Sequence, residues 1–396
     1  MTDVLWVTSV YPWIGNSVAG VFFGTQARAL ARLGLAVTVA APLPLTPWPA
    51  PRLRDRWREY ASSPRRGEDH GVRVLRPRFV NVPGQPDWAR PDRSIAGSIW
   101  RARGEWAGAR VIHGHYAVSG LAAWRLGRRA RLPHVLTFHG DDLNVWPEEH
   151  PRRVDDLRAA ARDAGAVVTV SQALGELLVD LTGVAAVHIP LGIDHAAIAA
   201  TALPRAEARR RLGLPQDRIV VLMVGYLLEY KGARLLADAV MALGEPYLAL
   251  FVGDGPLLGY GADRPGATGL LDYRGQQPHD RVGLFLSAAD ALVLPSTREG
   301  LPTVLVEAGS LAVPVIASGV GGIPALLADG RGTLLPALST EALIAELERL
   351  AAEPDTAAEQ GRRLMEHVRV HYDVDRNASR LLECYRTVVP DLGASR

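Results

Sequence analysis

Two glutamates, Glu299 and Glu307, bracket an apolar run in the stretch "REGLPTVLVEAGS" at 298–310. Pro302 suits the first position of a helix, where a missing N–H costs nothing. A helix starting there leaves Glu299 in the turn ahead and carries Glu307 about a turn and a half inside. The free N–H groups of its first turn would face whatever anion lies in front. A plainer reading makes Val304, Leu305 and Val306 core and the two acids their solvated ends. Glu307 fits that reading poorly, because it adjoins the apolar run and is followed by the small Ala308 and Gly309. One small surface would then offer a carboxylate, a row of amide donors and a second carboxylate. Hexose hydroxyls, a diphosphate and ribose hydroxyls present their needs in that order.

Lys231 is the second unusual residue. The chain has 44 lysines and arginines but a single lysine, so 43 are arginine. Lysine is a compact, mobile point charge and arginine a broad planar fork. In "VGYLLEYKG" (224–232) Lys231 and Gly232 follow a strand end and open a helix, so the ammonium adds to the helix dipole as a diphosphate seat. Survival by chance is the alternative. Gly253 in "VGDGP" allows close approach of a flat ligand face. Backbone donors at Arg274, Gly275 and Gln276 in "YRGQQPHDRVGLFLSAADALVLPS" suit the edge of a base, and "SGVGGIP" (318–324) adds another close-approach turn. Glycines follow strands in every α/β protein. Their ordered occurrence with "EGLPTVLVE" carries the weight.

The elements that must position these groups are legible as a rhythm. Strand-like runs at 4–9, 36–42, 72–77, 109–115, 134–140, 166–171 and 186–192 alternate with helix-period stretches such as "GTQARALARLG" and "QALGELLVDLTG". Near-continuous apolar strands between helices predict parallel sheets covered on both faces, with ligands at the carboxyl ends of the strands. Prolines and small residues break the rhythm at 189–215, which reads as an interdomain connection. The alternation then restarts through "RIVVLMVGYL", "YLALFVGDG", "LLDYRGQ", "ALVLPST", "VPVIASGVGG" and "GTLLP". Two doubly wound domains with a cleft between them are expected, with the last helix, "DRNASRLLECYRTVV", packing back on the first.

Composition narrows the setting. At 396 residues the chain suffices for two ordinary domains, and 48% apolar with 22% charged residues is usual for a soluble globular protein. Cys384 is the only cysteine, which excludes an internal disulfide and any multi-cysteine metal site. A reducing, cytoplasmic location is expected, and "MTDVLWVTSVYP" does not read as a targeting signal. The longest apolar run, 219–228, is far short of the roughly 20 residues that span a bilayer. A net charge of +2 argues against nucleic-acid binding. Arginines nevertheless crowd between Arg52 and Arg110, interleaved with Trp48, Trp57, Trp88 and Trp100. That segment reads either as a solvated face or as a surface for anionic lipid or an anionic acceptor.

Together these motifs resemble the retaining glycosyltransferases of family 4, which have the GT-B fold of two Rossmann-like domains facing across a cleft. The resemblance covers nearly the whole chain. Its most specific element is E-x7-E, from Glu299 to Glu307, followed by "VPVIASGVGGIPALL"; "VTSVYPWIGNSVAGVFFGTQARALARLG", "VIHGHYAVSG" and "TFHGDDLN" support it in the first half. Within the family the chain is most similar to enzymes of cell-envelope and capsular polysaccharides, such as those of teichuronic acid synthesis. The resemblance implies an acceptor-binding domain at 1–195, joined by a returning helix at about 374–396, and a donor-binding domain at 196–373. Glu307 would hold the donor ribose. Glu299 would hold hexose hydroxyls with the amides of Gly300, Leu301, Pro302 and Thr303 as neighbours (proline lending only its fixed backbone), and Lys231 would neutralise the diphosphate. Gly20 would let the first-domain loop approach the diphosphate or acceptor. His115 would line the reaction centre, with His113 close enough to be confused with it, and His139 and Asp141 would stand on the acceptor side. One departure is Tyr226, where family members commonly carry arginine; Arg298 is a candidate to compensate.

The expected chemistry is transfer of a hexose from a nucleotide sugar to an acceptor hydroxyl with retention, by front-face departure and without a metal or other cofactor. No carboxylate pair can be placed across the sugar ring for double displacement, and Asp141–Asp142 is adjacent rather than spaced. An epimerase or inverting transferase is disfavoured by E-x7-E. A catalytically silent sugar-nucleotide-binding or assembly subunit is the alternative that Tyr226 suggests. A nicotinamide dehydrogenase would need G-x-G-x-x-G after a strand, which is missing.

Overall fold

Short β-branched runs set between helix-period segments become, in the computed structural model, two sheets of parallel strands, each in its own unit. Residues 2–16, 18–47, 49, 52, 54–81 and 90–393 are described. The first unit comprises Met1–Gly192 and Val374–Arg396, and the second Ile193–Asp373. The crossing falls at Gly192, slightly ahead of the expected 195/196. Asp194 is the reason: its side chain accepts from Ala197 N at 2.9 Å and caps the helix His195–Ala200, which belongs to the second unit. The segment 189–215 is therefore no bare connection. A second helix, Arg205–Leu212, follows, and Ile198 O lies 2.5 Å from where a side chain on Gly283 would begin.

The first sheet has eight strands in the order Val187–His188, Ala166–Thr169, His134–Phe138, Val111–His115, Val4–Val7, Val37–Ala40, Val72–Leu75 and Arg66–Asp69. All neighbours are parallel except the last pair. Arg66–Asp69, in the segment read from sequence as a solvated face or an anion-meeting surface, is an edge strand. His70 and Gly71, at φ 46° and 87°, form the two-residue turn that returns the chain antiparallel, the geometry a right-twisted hairpin favours. Its alternating exposed charges are ordinary for an edge. From Val4–Val7 the chain winds one way and then back the other, so the order reverses between Val4–Val7 and Val111–His115. In open α/β sheets ligands bind beyond the strand ends at such a reversal.

The C-terminal helix Val374–Val388 packs on the helix Val21–Arg32 of the first unit. Tyr385 pins it. Its hydroxyl accepts from Trp6 Nε1 at 2.8 Å and stands 2.5 Å from His113 Nδ1. On its other ring nitrogen His113 meets Thr137, Nε2 to Oγ1 at 2.7 Å, so both imidazole nitrogens pair with hydroxyls, each able to donate or accept. All four side chains are buried. Tyr385→Phe strands an indole N–H and an imidazole nitrogen, each costing about 1–3 kcal/mol when buried unpaired. The melting temperature should fall by several degrees in a calorimetric scan; an unchanged value would mean that the hydroxyl contributes packing alone.

The second sheet is fully parallel, in the order Leu271–Tyr273, Tyr247–Val252, Ile219–Val224, Ala291–Leu294, Val315–Ser318 and Thr333–Leu335. Its order reverses between Ile219–Val224 and Ala291–Leu294. Among the described residues no helix is long and apolar enough to cross a membrane.

Candidate active site

The reversal in the second sheet sets the position of the paired motifs. Beyond Ile219–Val224 the chain turns through Glu229–Lys231 into the helix Ala233–Leu243, and beyond Ala291–Leu294 it runs through Ser296 and Glu299 into the helix Thr303–Ser310. Lys231 and Glu299 meet across this point, Nζ to Oε1 at 2.6 Å, and Ser296 Oγ donates to the same oxygen at 2.8 Å. Glu299 is 9% exposed. Lysine has three donors, so one goes to Glu299 and two are left for an anion.

Glycines make this crowding sterically feasible. A side chain on Gly232 would collide with Pro295 O, and one on Gly321 with Glu299 O. Gly322 N donates to Gly300 O at 2.7 Å, tying the 318–324 turn against the glutamate. Gly253, at φ 147°, leaves no room for a side chain against Gly225 O. Pro302 lies one place outside its expected position: it is the N-cap at ψ 118°, and the helix starts at Thr303. Glu307 therefore stands about one turn inside, not one and a half. Leu301 and Gly300, just ahead of the helix, are buried.

Glu307 is 5% exposed, and its Oε1 accepts from His279 Nε2 at 2.8 Å. His279 lies in the 3₁₀ turn His279–Arg281 and went unnoticed in the sequence, where a lone histidine after proline carries no motif. Arg274 is committed elsewhere: its guanidinium binds both oxygens of Asp272 and Leu212 O, and its N–H donates to Phe251 O at 2.9 Å. Of the expected trio, Gly275 and Gln276 remain as candidates for a base edge. Tyr226 is 56% exposed. The Arg298 guanidinium lies 4.3 Å from the Tyr230 ring centroid and Lys231 Nζ lies 5.4 Å from it, so both cations stand near one aromatic ring.

In the first unit the sheet reversal brings together Gly20, His115 and His139. Gly20 is the N-cap of Val21–Arg32 at φ 63°, with Val10 O only 2.5 Å from where a side chain would start. The helix it opens presses Phe23 against both histidines, with ring centroids 4.8 and 5.1 Å away. His115 Nδ1 and His139 Nε2 are 3.2 Å apart, and both rings are buried. Burial, then the neighbouring His113 and His139, hold His115 well below the usual imidazole range; burial alone takes His139 down to about 3. Both are neutral near pH 7, so they offer hydrogen bonds rather than charge. His115 Nε2 and His139 Nδ1 have no partner among the described residues. His113 is spent on Tyr385 and Thr137, which separates it from His115. Asp141 is exposed; its neighbour Asp142 is the buried one, accepting from His139 N at 2.9 Å and Gly140 N at 2.7 Å. Burial pushes the Asp142 carboxyl up to about 7, against those backbone donors, which favour the anion.

The two units match two family models: residues 19–197 match Glycosyltransferase Family 4, and residues 204–366 match Glycosyl transferases group 1. A Bacillus subtilis protein whose name assigns it to teichuronic acid biosynthesis as a glycosyltransferase is 36% identical over 392 residues, 97% of this chain and 98% of that one. The chain belongs to glycosyltransferase family 4. Other family relatives include an alpha-maltose-1-phosphate synthase of Mycolicibacterium smegmatis, 32% identical over 71% of this chain and 79% of that one. In structure this family 4 member is similar to a sucrose-phosphate synthase from Thermosynechococcus elongatus, with a TM-score of 0.82 at 22% identity over 98% and 100% of the two chains. Anabaena HepE in complex with UDP-glucose aligns with a TM-score of 0.72 at 20% identity, over the same shares. The fold is GT-B, and the activity is glycosyl transfer.

Proposed function

We propose that this family 4 glycosyltransferase moves a hexose from a nucleotide diphosphate sugar to an acceptor hydroxyl with retention, in the synthesis of a cell-envelope polysaccharide or other glycoconjugate. The observation that carries the donor reading is the line Lys231–Glu299, Thr303 helix start, Glu307 at the reversal of the second sheet. The UDP-glucose complex of HepE and the teichuronic acid role in the name of the Bacillus subtilis relative support it. Glu307 takes the ribose and Gly275 and Gln276 the base edge, with Gly253 admitting its flat face. Lys231 and the first-turn amides take the diphosphate, and Glu299 takes hexose hydroxyls. Arg298 supplies the second cation that Tyr226 does not. In the first unit Gly20, His115 and His139 serve the acceptor, with Asp142 holding the 139–140 backbone.

In the proposed step the bond from the anomeric carbon to the phosphate oxygen breaks. A bond to the acceptor oxygen forms on the same face, and the acceptor proton passes to the departing phosphate oxygen. Lys231 and the amides stabilise charge on that phosphate, so no metal ion is assigned a role. A thermal-shift screen of nucleotide sugars, followed by NMR of the products, tests the reading. Binding raises apparent stability by mass action, and the product anomer should match the donor's, with EDTA present or absent. No stabilisation by any nucleotide sugar refutes the donor assignment; an inverted product refutes retention; binding without donor hydrolysis or transfer would point to a silent binder.

Reversible attachment to an anionic membrane surface is part of the same proposal. The helix Asp55–Ser62 buries no residue, and Arg54 and Arg56 lie over the Trp57 and Tyr60 rings at 5.2 and 5.5 Å. Trp48 and Trp88 fall outside the described residues. Each arginine near an anionic leaflet contributes about 1 kcal/mol, screened by salt. Co-sedimentation with anionic but not zwitterionic liposomes at low salt, lost when Arg52, Arg54, Arg56 and Arg58 become serine, is the expected result. Indifference of native protein to anionic liposomes refutes it.

A further inference from the structure

We infer that His279 is a positioning residue that orients Glu307 and thereby makes the donor site selective for ribose over deoxyribose. The inference rests on the donor reading above. Glu307 is a nearly buried carboxylate, and a carboxylate only accepts, so the 2.8 Å contact requires a hydrogen on His279 Nε2. That contact occupies Oε1. Oε2 has no partner among the described residues. A carboxylate with one protein donor keeps acceptor capacity to spare, and a ribose diol offers two O–H donors that can use it.

The turn that carries His279 is tied down by contacts of its neighbours. Asp272 binds the Arg274 guanidinium, and Gln277 Nε2 donates to Arg274 O at 2.7 Å. Arg281 then donates to Gln277 Oε1 at 2.7 Å and lies over the Phe285 ring. Pro278, just ahead of the turn, restricts the backbone there. The imidazole therefore arrives at Glu307 from a braced turn. Arg274, whose side chain is spent on Asp272 and Leu212, contributes its carbonyl to this bracing. With His279 absent, Glu307 loses its only protein donor among the described residues and no longer has a fixed rotamer to meet the sugar.

Calorimetric titration with UDP, ADP, GDP and CDP, each beside its 2′-deoxy counterpart, tests this on native protein, His279→Ala and His279→Gln. At 38% exposure His279 is not core, and glutamine keeps a side-chain N–H of similar reach. Native protein should prefer the ribonucleotide it binds by about tenfold over the deoxy form, the value of one hydrogen bond to a charged group. His279→Ala should weaken ribonucleotide binding by about tenfold and deoxynucleotide binding much less, raise the donor KM at little-changed kcat, and be largely rescued in His279→Gln. Equal losses for ribo and deoxy forms, or no loss, overturn the inference alone. Native protein that binds none of the four nucleotides overturns the donor reading and this inference with it.

Discussion

Lys231→Arg protein should remain folded yet transfer sugar at least about a hundredfold more slowly than native, the scale of losing one preorganised donor to a developing oxyanion. The charge is kept, so charge is not what fails. Lys231 Nζ sits 2.6 Å from Glu299 Oε1, which Ser296 Oγ already occupies from another side. The turn cannot retreat to admit a larger head, because Gly232 is packed against Pro295. A guanidinium can still pair with Glu299, but its planar fork cannot also present the remaining donors to a phosphate from a point-charge seat. Lys231→Ala should behave differently again, lowering stability as well, since it takes the Lys231 ammonium away from the largely buried Glu299. Steady-state kinetics with a melting scan on both variants separate these effects. Near-native turnover of the arginine variant would make the single lysine a relic of an arginine-rich composition.

Glu307→Ala should bind the donor nucleotide at least tenfold more weakly while its melting temperature changes little. Hydrogen bonds to a charged group contribute about 1.5–3 kcal/mol each, and 1.4 kcal/mol is a factor of ten. The fold is expected to survive because the partner of the carboxylate among the described residues is the partly exposed His279, which water can satisfy instead. Glu307→Gln keeps the shape and an oxygen for His279, but an amide NH2 replaces the acceptor left for the sugar, so it too should lose affinity. Calorimetric titration with the nucleoside diphosphate gives the answer directly. Native-like affinity in the alanine variant would remove the ribose from Glu307.

Both predictions concern residues that the sequence alone singles out, and the reason is local. Glu299, Pro302 and Glu307 lie within one helix start, Lys231 is singled out by composition, and strand–helix alternation is a periodic signal readable in short windows. The parallel sheets and the two-unit division follow from that alternation. The local signals also misled where they were weakest. Pro302 is as acceptable at an N-cap as at the first helical position, which moved the helix by one residue. Prolines at 190, 204 and 215 hid two short helices in what read as a connection, and the charges of Arg66–Asp69 concealed an edge strand. What only the tertiary structure decided is which distant residues meet. His279 reaches Glu307, Lys231 reaches Glu299, and Tyr385 reaches His113 over separations of 28, 68 and 272 residues. Those meetings depend on sheet order, on where it reverses, and on the return of the last helix. No stretch of chain encodes them by itself, so His113 and His115 look alike in "VIHGH", and Asp141 and Asp142 in "HGDD", until the surrounding elements assign one of each pair to structure and leave the other beside the site or in solvent.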